Sequence, residues 1–263
     1  MTTTNPVNIA IMGANGRMGR MLIASTKHHK EAVLSACFVR KLDAEHLPSD
    51  LPFATLDTYK NPKDIAVMID FSLPEALNAT LDFCVAHNIN MVLGITGLSA
   101  DNEEKLRLAS EHIAIVYAGN YATGVNLALN LVATTAKALG ADADVEIIEY
   151  HHKHKKDAPS GTALMLAKAV TDVRKQDLLS NLAHGRHGLT PRTAEEIGMH
   201  AVRGGEIIGE HTVQFIMNGE IIEITHKAQH RRIFADGAVR AAIWARGQKA
   251  GLYDMQDVLG LKA

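Results

Sequence analysis

Cysteine is scarce. Cys37 and Cys84 are the only two in 263 residues, too few for a disulfide framework or a zinc cluster. Both sit in apolar stretches, Ala36-Cys37-Phe38 and Phe83-Cys84-Val85, and read as buried, inert thiols. Long apolar runs are also missing: none approaches the ~18 residues that a membrane-spanning helix needs. Met1–Asn5 is polar and lacks the charged-then-apolar pattern of a secretory leader. There is no excess of one charge, since 27 Lys and Arg against 29 Asp and Glu leave a formal net charge of −2. That balance argues against a nucleic-acid partner, which would call for a basic excess. A 47% hydrophobic composition argues against a disordered acidic chain. The expectation is a soluble, cytoplasmic globular protein with no membrane association. Its length allows one or two domains, at roughly 100–200 residues each.

What is present is an alternation. Val7–Met12, Val33–Val39, Ile65–Phe71, Asn90–Gly94 and Ile113–Tyr117 are short apolar runs that read as strands. Between them lie helical segments: Gly16–His29 with a stripe of Met18, Leu22 and Ile23, a helix from Ser72-Leu73-Pro74-Glu75 to about His87, and Asp101–Glu111. Proline suits the first turn of the second of these. Leu42–Asn61 reads as irregular. Apolar strands separated by helices imply βαβ units and a parallel sheet covered on both faces.

The pattern changes after Gly119. Thr123–Leu139 reads as a long apolar helix, Asp144–Tyr150 as a strand, His151–Pro159 as a polar loop and Ser160–Arg174 as a helix. Ile197–Arg203, Glu206–Met217 and Glu220–Ala228 read as longer, antiparallel strands, with Asn218-Gly219 as a type I′ hairpin turn. Phe234–Gln248 is a closing helix that could rejoin the first domain, and Gly251–Gly260 a short tail. The expected domains are 1–122 with 233–263, and 123–232.

Gly13-Ala14-Asn15-Gly16-Arg17-Met18-Gly19 follows the first strand and opens the first helix. Glycines permit a tight turn and close approach to a pyrophosphate, and the helix N-terminus offers free N–H groups. The strand–turn–helix context favours dinucleotide binding over a plain turn. The fold class is therefore α/β: a Rossmann-type doubly wound parallel sheet, with a second α+β domain whose sheet is mostly antiparallel or mixed. A ribose-binding carboxylate normally ends the second strand. Here the strand ends Phe38-Val39-Arg40-Lys41. An Arg at that place can meet a 2′-phosphate, so NADPH is expected in preference to NADH, with NADH use still open. The bland alternative is a pair of solvated cations.

Fourteen histidines occur, 9 of them from His151 onward, and six basic side chains crowd residues 151–156. Crowded cations lower one another's pKa, which favours a proton donor near neutral pH. Ser160-Gly161-Thr162 then opens a helix with Ser160 as N-cap, and its N–H groups with the Thr162 hydroxyl suit a carboxylate. Competing readings are a solvated loop, a metal site, which the lysines and the lack of a familiar ligand spacing oppose, and a nucleophilic Ser160, which lacks the G-x-S-x-G context.

Glu149, His151-His152, Lys155, Asp157 and Pro159-Ser160-Gly161-Thr162 together resemble the hallmark of the 4-hydroxy-tetrahydrodipicolinate reductase family, formerly called dihydrodipicolinate reductase, of bacterial lysine and diaminopimelate biosynthesis. The resemblance runs over essentially the whole chain. It implies that His151 is the proton donor and Lys155 a second donor, and that His152, Ser160, Gly161 and Thr162 hold substrate carboxylates. It implies cofactor contacts from Gly13, Ala14, Asn15, Gly16, Arg17 and Met18, from Gly94-Ile95-Thr96 and from Ala118-Gly119-Asn120-Tyr121, to which the strand-end reading adds Arg40. Ile95 and Gly119-Asn120-Tyr121 depart from the common Thr and Ala-Asn-Phe of the family. A homotetramer built through the second domain's sheet is also implied, and no metal. Two other classes compete. A semialdehyde-type dehydrogenase would need a reactive cysteine beside the cofactor. A cofactor-sensing protein on the same fold would have no use for His151 and Lys155.

Overall fold

The computed structural model describes residues 5–42 and 48–262. The chain forms two compact units, one holding the residues up to Thr123 and from Arg232 on, the other Gly124–Arg231. In chain order the first unit runs β1 (Val7–Met12), α1 (Arg17–His28), β2 (Ala32–Phe38), β3 (Phe53–Ala54), a 3-10 turn at Pro62–Asp64, β4 (Val67–Asp70), α2 (Pro74–Ala86), β5 (Asn90–Leu93), α3 (Ala100–Ser110) and β6 (Ala114–Tyr117). There follow α4 (Thr123–Leu139), β7 (Asp144–His151), α5 (Gly161–Arg174), α6 (Leu178–Asn181), β8 (Leu182–His184), β9 (Ile197–Arg203), β10 (Glu210–Met217) and β11 (Glu220–Lys227). The chain returns to the first unit as α7 (Arg232–Ala245), β12 (Gly251–Tyr253) and α8 (Met255–Val258).

In the first unit seven parallel strands form one sheet in the order β12-β6-β5-β4-β1-β2-β3. Its strands are apolar almost without interruption because both faces are covered. One face packs on α1 and α7 through Leu22, Ile23, Ala238, Val239 and Ala242. The other packs on α2 and α3 through Leu77, Leu81, Cys84 and Leu106. The strand order reverses direction between β1 and β4, which is where ligands bind in open sheets of this kind. Burial drives the Cys37 thiol up to about 11 and the Cys84 thiol higher still. Both cysteines are fully buried, so neither is a nucleophile at neutral pH.

The second unit is built on a five-stranded sheet in the order β11-β10-β7-β9-β8. β10 runs antiparallel to both β7 and β11. β9, expected to be antiparallel, runs parallel to β7, and β8 runs parallel to β9, so the sheet is mixed. The cause is the connection: helices α5 and α6 carry the chain back across the sheet, as a parallel crossover requires. α4 and α5 cover one face, packing Val132, Ala136, Leu166 and Val170 on Val145, Ile147, Val213 and Phe215. The two-residue loop between Met217 and Glu220 joins β10 to β11 as anticipated. Its turn is not type I′, since Gly219 takes φ of +99° while Asn218 has no positive φ. That is the sign pattern of a type II turn, in which glycine alone bears the left-handed position.

Other departures are small and local. Part of the stretch read as irregular, Leu42–Asn61, pairs as β3 beside β2, while residues 43–47 lie outside the described residues. The strand expected from Glu206 begins at Glu210, because Gly204 and Gly205 turn back to bond His151 and Lys153. His151, expected in the loop, is instead the last residue of β7.

Helix α7 sits close to its sheet because its inward face is small: Ala235, Gly237, Ala238, Ala241, Ala242 and Ala245 are buried. A Cβ at position 237 would lie 1.7 Å from the Tyr121 carbonyl oxygen, whereas one at Gly247 would meet nothing within 4 Å. Gly237→Ala should therefore destabilise the first unit by roughly 1–3 kcal/mol or more, the cost of overpacking a rigid contact. Gly247→Ala should stay within about 0.5 kcal/mol of the parent. Urea midpoints followed by the fluorescence of Trp244 would compare them; equal midpoints would contradict the packing.

Candidate active site

The glycine loop lies at the C-terminal end of β1, beside the reversal of the sheet. Gly13 has φ of +70°, a conformation costly for any other residue. Gly19 is fixed by packing: a Cβ there would lie 2.3 Å from the Gly13 carbonyl oxygen and 2.6 Å from the Ala14 Cα. Gly16 caps α1 without any side-chain hydrogen bond, and no acidic residue stands in the helix's first turn. The first N–H groups of α1 are thus available to an anion, and the exposed Asn15, Gly16 and Arg17 form the rim of the loop. Ala14 is buried and Met18 half-buried, so they support the loop from below. This backbone cradle fits a dinucleotide pyrophosphate.

The other expected contact residues cluster at the same sheet edge, at the ends of β2, β5 and β6. Val39 is buried and Arg40 exposed just beyond β2, with no carboxylate at the strand end. A Cβ at Gly94 would lie 2.2 Å from the Phe71 ring, so a side chain there would have to displace that ring. Ile95 is buried and Thr96 exposed. In the last group, Asn120 Oδ1 accepts the Ala122 N–H at 2.9 Å. Tyr121 is 1% exposed, with its hydroxyl 2.9 Å from the Leu93 carbonyl and 2.8 Å from that of Val116. Its side chain ties β5 to β6 and faces away from solvent.

The second unit carries the expected acid–base residues. Burial on β7 alternates, so Val145, Ile147, Glu149 and His151 share the inward face. Glu149 has no exposed surface, yet it is saturated with donors. Arg203 donates to both carboxylate oxygens at 2.7 Å, His151 Nδ1 lies 2.6 Å from Oε2, and the Ser160 N–H donates to Oε1 at 3.0 Å. Burial would push the Glu149 carboxyl up; the bonds from Arg203, His151 and Ser160 overcome it and hold the group below its usual range. His151 is shifted down, chiefly by burial and further by the Lys155 and Arg203 charges, while Glu149 pulls the other way. A depressed pKa makes its imidazolium a stronger acid.

Ser160 caps α5, accepting the Ala163 N–H on its hydroxyl at 3.1 Å, and the same oxygen lies 2.8 Å from His211 Nε2. Its hydroxyl is thus committed to the helix start. Gly161 and Thr162 are the first two residues of that helix, whose N–H groups have no helical acceptor. Nothing would crowd a Cβ at Gly161 within 4 Å, which leaves open space at the helix end. Lys155 Nζ pairs with Asp157 at 2.9 Å, and His152 Nε2 accepts from Arg231 at 3.3 Å. The structure therefore gathers His151, Ser160, Gly161 and Thr162 around one carboxylate and one helix end. Arg203 also bonds the Asp157 carbonyl at 2.8 Å, which anchors the basic loop. Among the described residues no group of three or more His, Cys, Asp or Glu side chains is arranged to hold a metal ion.

Sequence reasoning missed Arg203, His211 and the role of Glu149. The two-residue spacing of Glu149 and His151 on a strand was a usable signal, since such residues share a face. Arg203 gave none, because its closeness to Glu149 follows from the parallel register that sets His151 opposite Arg203.

Known proteins resemble both halves of the chain. The description "Dihydrodipicolinate reductase, N-terminus" matches residues 7–121 and "Dihydrodipicolinate reductase, C-terminus" matches residues 124–259. The 4-hydroxy-tetrahydrodipicolinate reductase of Psychrobacter arcticus is 52% identical over 265 residues, covering 97% of this chain and 95% of that protein. Its counterpart in Pseudoalteromonas atlantica is 48% identical over 263 residues, covering 96% and 98%. Among solved structures, a dipicolinate-bound dihydrodipicolinate reductase from Paenisporosarcina sp. TG-14 shares the fold with a TM-score of 0.76 at 23% identity, covering 96% of this chain and 98% of that one. With both halves matched in order and relatives about half identical from end to end, the chain belongs to the dihydrodipicolinate reductase family.

Proposed function

We propose that the reduction of 4-hydroxy-tetrahydrodipicolinate to tetrahydrodipicolinate runs in this chain with NADPH as the preferred cofactor, and with His151 and Lys155 as the proton donors. Family membership makes the chain a nicotinamide-dependent oxidoreductase of the diaminopimelate and lysine pathway. The bound nicotinamide supplies the hydride. The net change is one hydride and one proton gained by the ring and one water lost from it. Residues 13–18 of the glycine loop would hold the pyrophosphate through the N–H groups of α1, with backbone at Gly94–Thr96 and Ala118–Tyr121 alongside.

One observation carries the residue roles: the Glu149 carboxylate bonds both His151 and the Ser160 N–H at the start of α5. An acid–base group and a helix N-terminus are thereby held side by side. The N–H groups of Gly161 and Thr162, the Thr162 hydroxyl and His152 would hold the substrate carboxylates, with Ser160 fixing the helix start. Lys155, 20% exposed and close enough to His151 for its charge to act there, would add positive charge and a second donor. A semialdehyde-type dehydrogenase needs a reactive thiol, which two fully buried cysteines do not offer. Light scattering tests the proposed homotetramer. Ile221 is 57% exposed and Val202 41% exposed on the second unit's sheet, an apolar surface that assembly would cover. The mass in solution should be four times that of one chain, and a monomer would contradict it.

His151→Gln and Lys155→Ala should each lower kcat by about 10²–10⁴-fold, the contribution of a positioned acid, with NADPH binding unchanged. Oxidation of NADPH followed at 340 nm, with substrate formed in place from pyruvate and aspartate semialdehyde, measures it. Near-parental turnover in both variants would refute the roles. Cofactor choice is tested in the same assay. The exposed Arg40 and the absence of a strand-end carboxylate predict a higher kcat/KM with NADPH than with NADH. Arg40→Ala should raise the KM for NADPH about tenfold and leave that for NADH nearly unchanged, as loss of one charge-assisted phosphate contact implies. Equal loss with both cofactors would argue against a 2′-phosphate contact.

A further inference from the structure

Glu149 has no exposed surface and lies against the Nδ1 side of His151. An ionised carboxylate can only accept hydrogen bonds. The 2.6 Å contact with Oε2 therefore requires that His151 carry a proton on Nδ1. The Arg203 fork enforces the ionised state, and the four donors use all the acceptor capacity a carboxylate has. The opposite edge of the ring is constrained as well. A Cβ at Gly209 would lie 2.9 Å from His151 Nε2 and 3.4 Å from its Cδ2. Glycine at 209 thus leaves the space beside that nitrogen, and the His211 ring closes the flank at 5.2 Å, edge to face.

We propose that Glu149 is a positioning residue for the reduction: by accepting a hydrogen bond from Nδ1–H it fixes the His151 tautomer and aims Nε2, in the space kept by Gly209, as the atom that gives up the proton. The inference rests on the reading of His151 as proton donor. In the transfer, the Nε2–H bond breaks and the proton goes to the substrate. The ring is left neutral with its Nδ1–H still on Glu149, so the carboxylate changes neither charge nor protonation. The same carboxylate holds the Ser160 N–H, so the donor atom and the helix end that receives the carboxylates share one fixed reference. The charged and titratable groups facing His151 are Glu149 on its own strand, Arg203 on β9, Lys155 in the following loop and His211 on β10.

Glu149→Gln tests the charge. Glutamine has one acceptor oxygen and one donor amide, so whichever way it lies, its NH₂ meets two of the four donors. The expected result is a kcat lower on the order of 10²-fold, as for a misdirected reacting group, with KM for substrate within about threefold. The alkaline fall of kcat, which marks loss of the acid's proton, should move to lower pH, because the carboxylate that favours imidazolium is gone. In a His151→Gln background the same substitution should lower kcat no further. Gly209→Ala tests the geometry on the other ring edge and keeps every charge. It should lower kcat about tenfold or more, leave NADPH binding and the thermal midpoint nearly unchanged, and leave the position of the pH limb in place.

A 15N spectrum of the imidazoles in the intact enzyme should show His151 as the Nδ1–H tautomer at high pH, and this should be lost in Glu149→Gln. If Glu149→Gln does not fold, the Gly209→Ala kinetics and the parental spectrum decide the matter. An Nε2–H tautomer in the parent, an unmoved pH limb in a folded Glu149→Gln, or a silent Gly209→Ala each overturns the proposal. If His151→Gln is as fast as the parent, the proton-donor reading itself falls and this inference falls with it. If His151→Gln is slow but Glu149→Gln matches the parent, only the positioning role is refuted.

Discussion

A carboxylate with no exposed surface loses several kcal/mol of hydration, and it stays ionised only where cations and N–H groups replace that water. Glu149 meets the condition with two bonds from Arg203, one from His151 and one from the Ser160 backbone. Each donor comes from a different part of the second unit. Arg203 ends β9, His151 ends β7, and Ser160 caps α5. To satisfy one buried charge, the parallel pairing of β7 with β9 must hold in register and the basic loop must close back onto the helix start. Breaking a buried pair by removing one partner costs about 3–5 kcal/mol. The alternatives to this local arrangement are therefore poorly populated, and His151 and the start of α5 inherit its rigidity.

The first unit answers a different constraint, the close approach of backbone to backbone. At Gly19, against Gly13 and Ala14, and at Gly237, against the Tyr121 carbonyl, a methyl group would overlap backbone, and at Gly94 it would overlap the Phe71 ring. Each lies at or near the edge of the sheet where the strand order reverses. Small residues there let α1 start immediately after β1 and let α7 pack tightly over the sheet. The N-terminal N–H groups of α1 then face outward with no side chain capping them, which is how a helix receives a phosphate without needing lysine at every contact.

The first unit was largely legible from sequence because its determinants are local. Apolar runs of four to seven residues, a glycine loop and a proline at the first position of α2 each act within a few residues of where they are read. The second unit was legible only in part. Its strands were found, but the direction of β9 was not, because pairing direction depends on a crossover through α5 and α6 that hydrophobic pattern does not encode. The turn after Met217 was placed correctly and typed incorrectly: Asn-Gly permits more than one turn, and the flanking strands choose among them. For the candidate site, His151, Lys155 and Ser160–Thr162 stood out as a motif. Arg203 and Gly209 did not, since they reach the site only through the β7–β9 and β7–β10 pairings.

The same distinction explains the histidines. A chain with 14 of them and a net charge of −2 invites the reading that imidazoles supply the positive charge for anionic ligands. The structure assigns the work otherwise. Burial depresses His151 and His226, and it takes His211 down to about 4, with the His151 charge adding to the effect. His211 is thus neutral at physiological pH and serves Ser160 as an uncharged hydrogen-bond partner. Glu149 favours the charged form of both His151 and His211, but of these it is hydrogen-bonded to His151, and at His211 burial outweighs it. The lysine and arginine that act on His151 are Lys155 and Arg203, and Arg203 is spent on Glu149. In the proposed reaction, attraction for a dicarboxylate would then fall to Lys155 and the N-terminus of α5, and the imidazole would be left to do what a lysine or a helix end does less readily, exchange a proton near neutral pH.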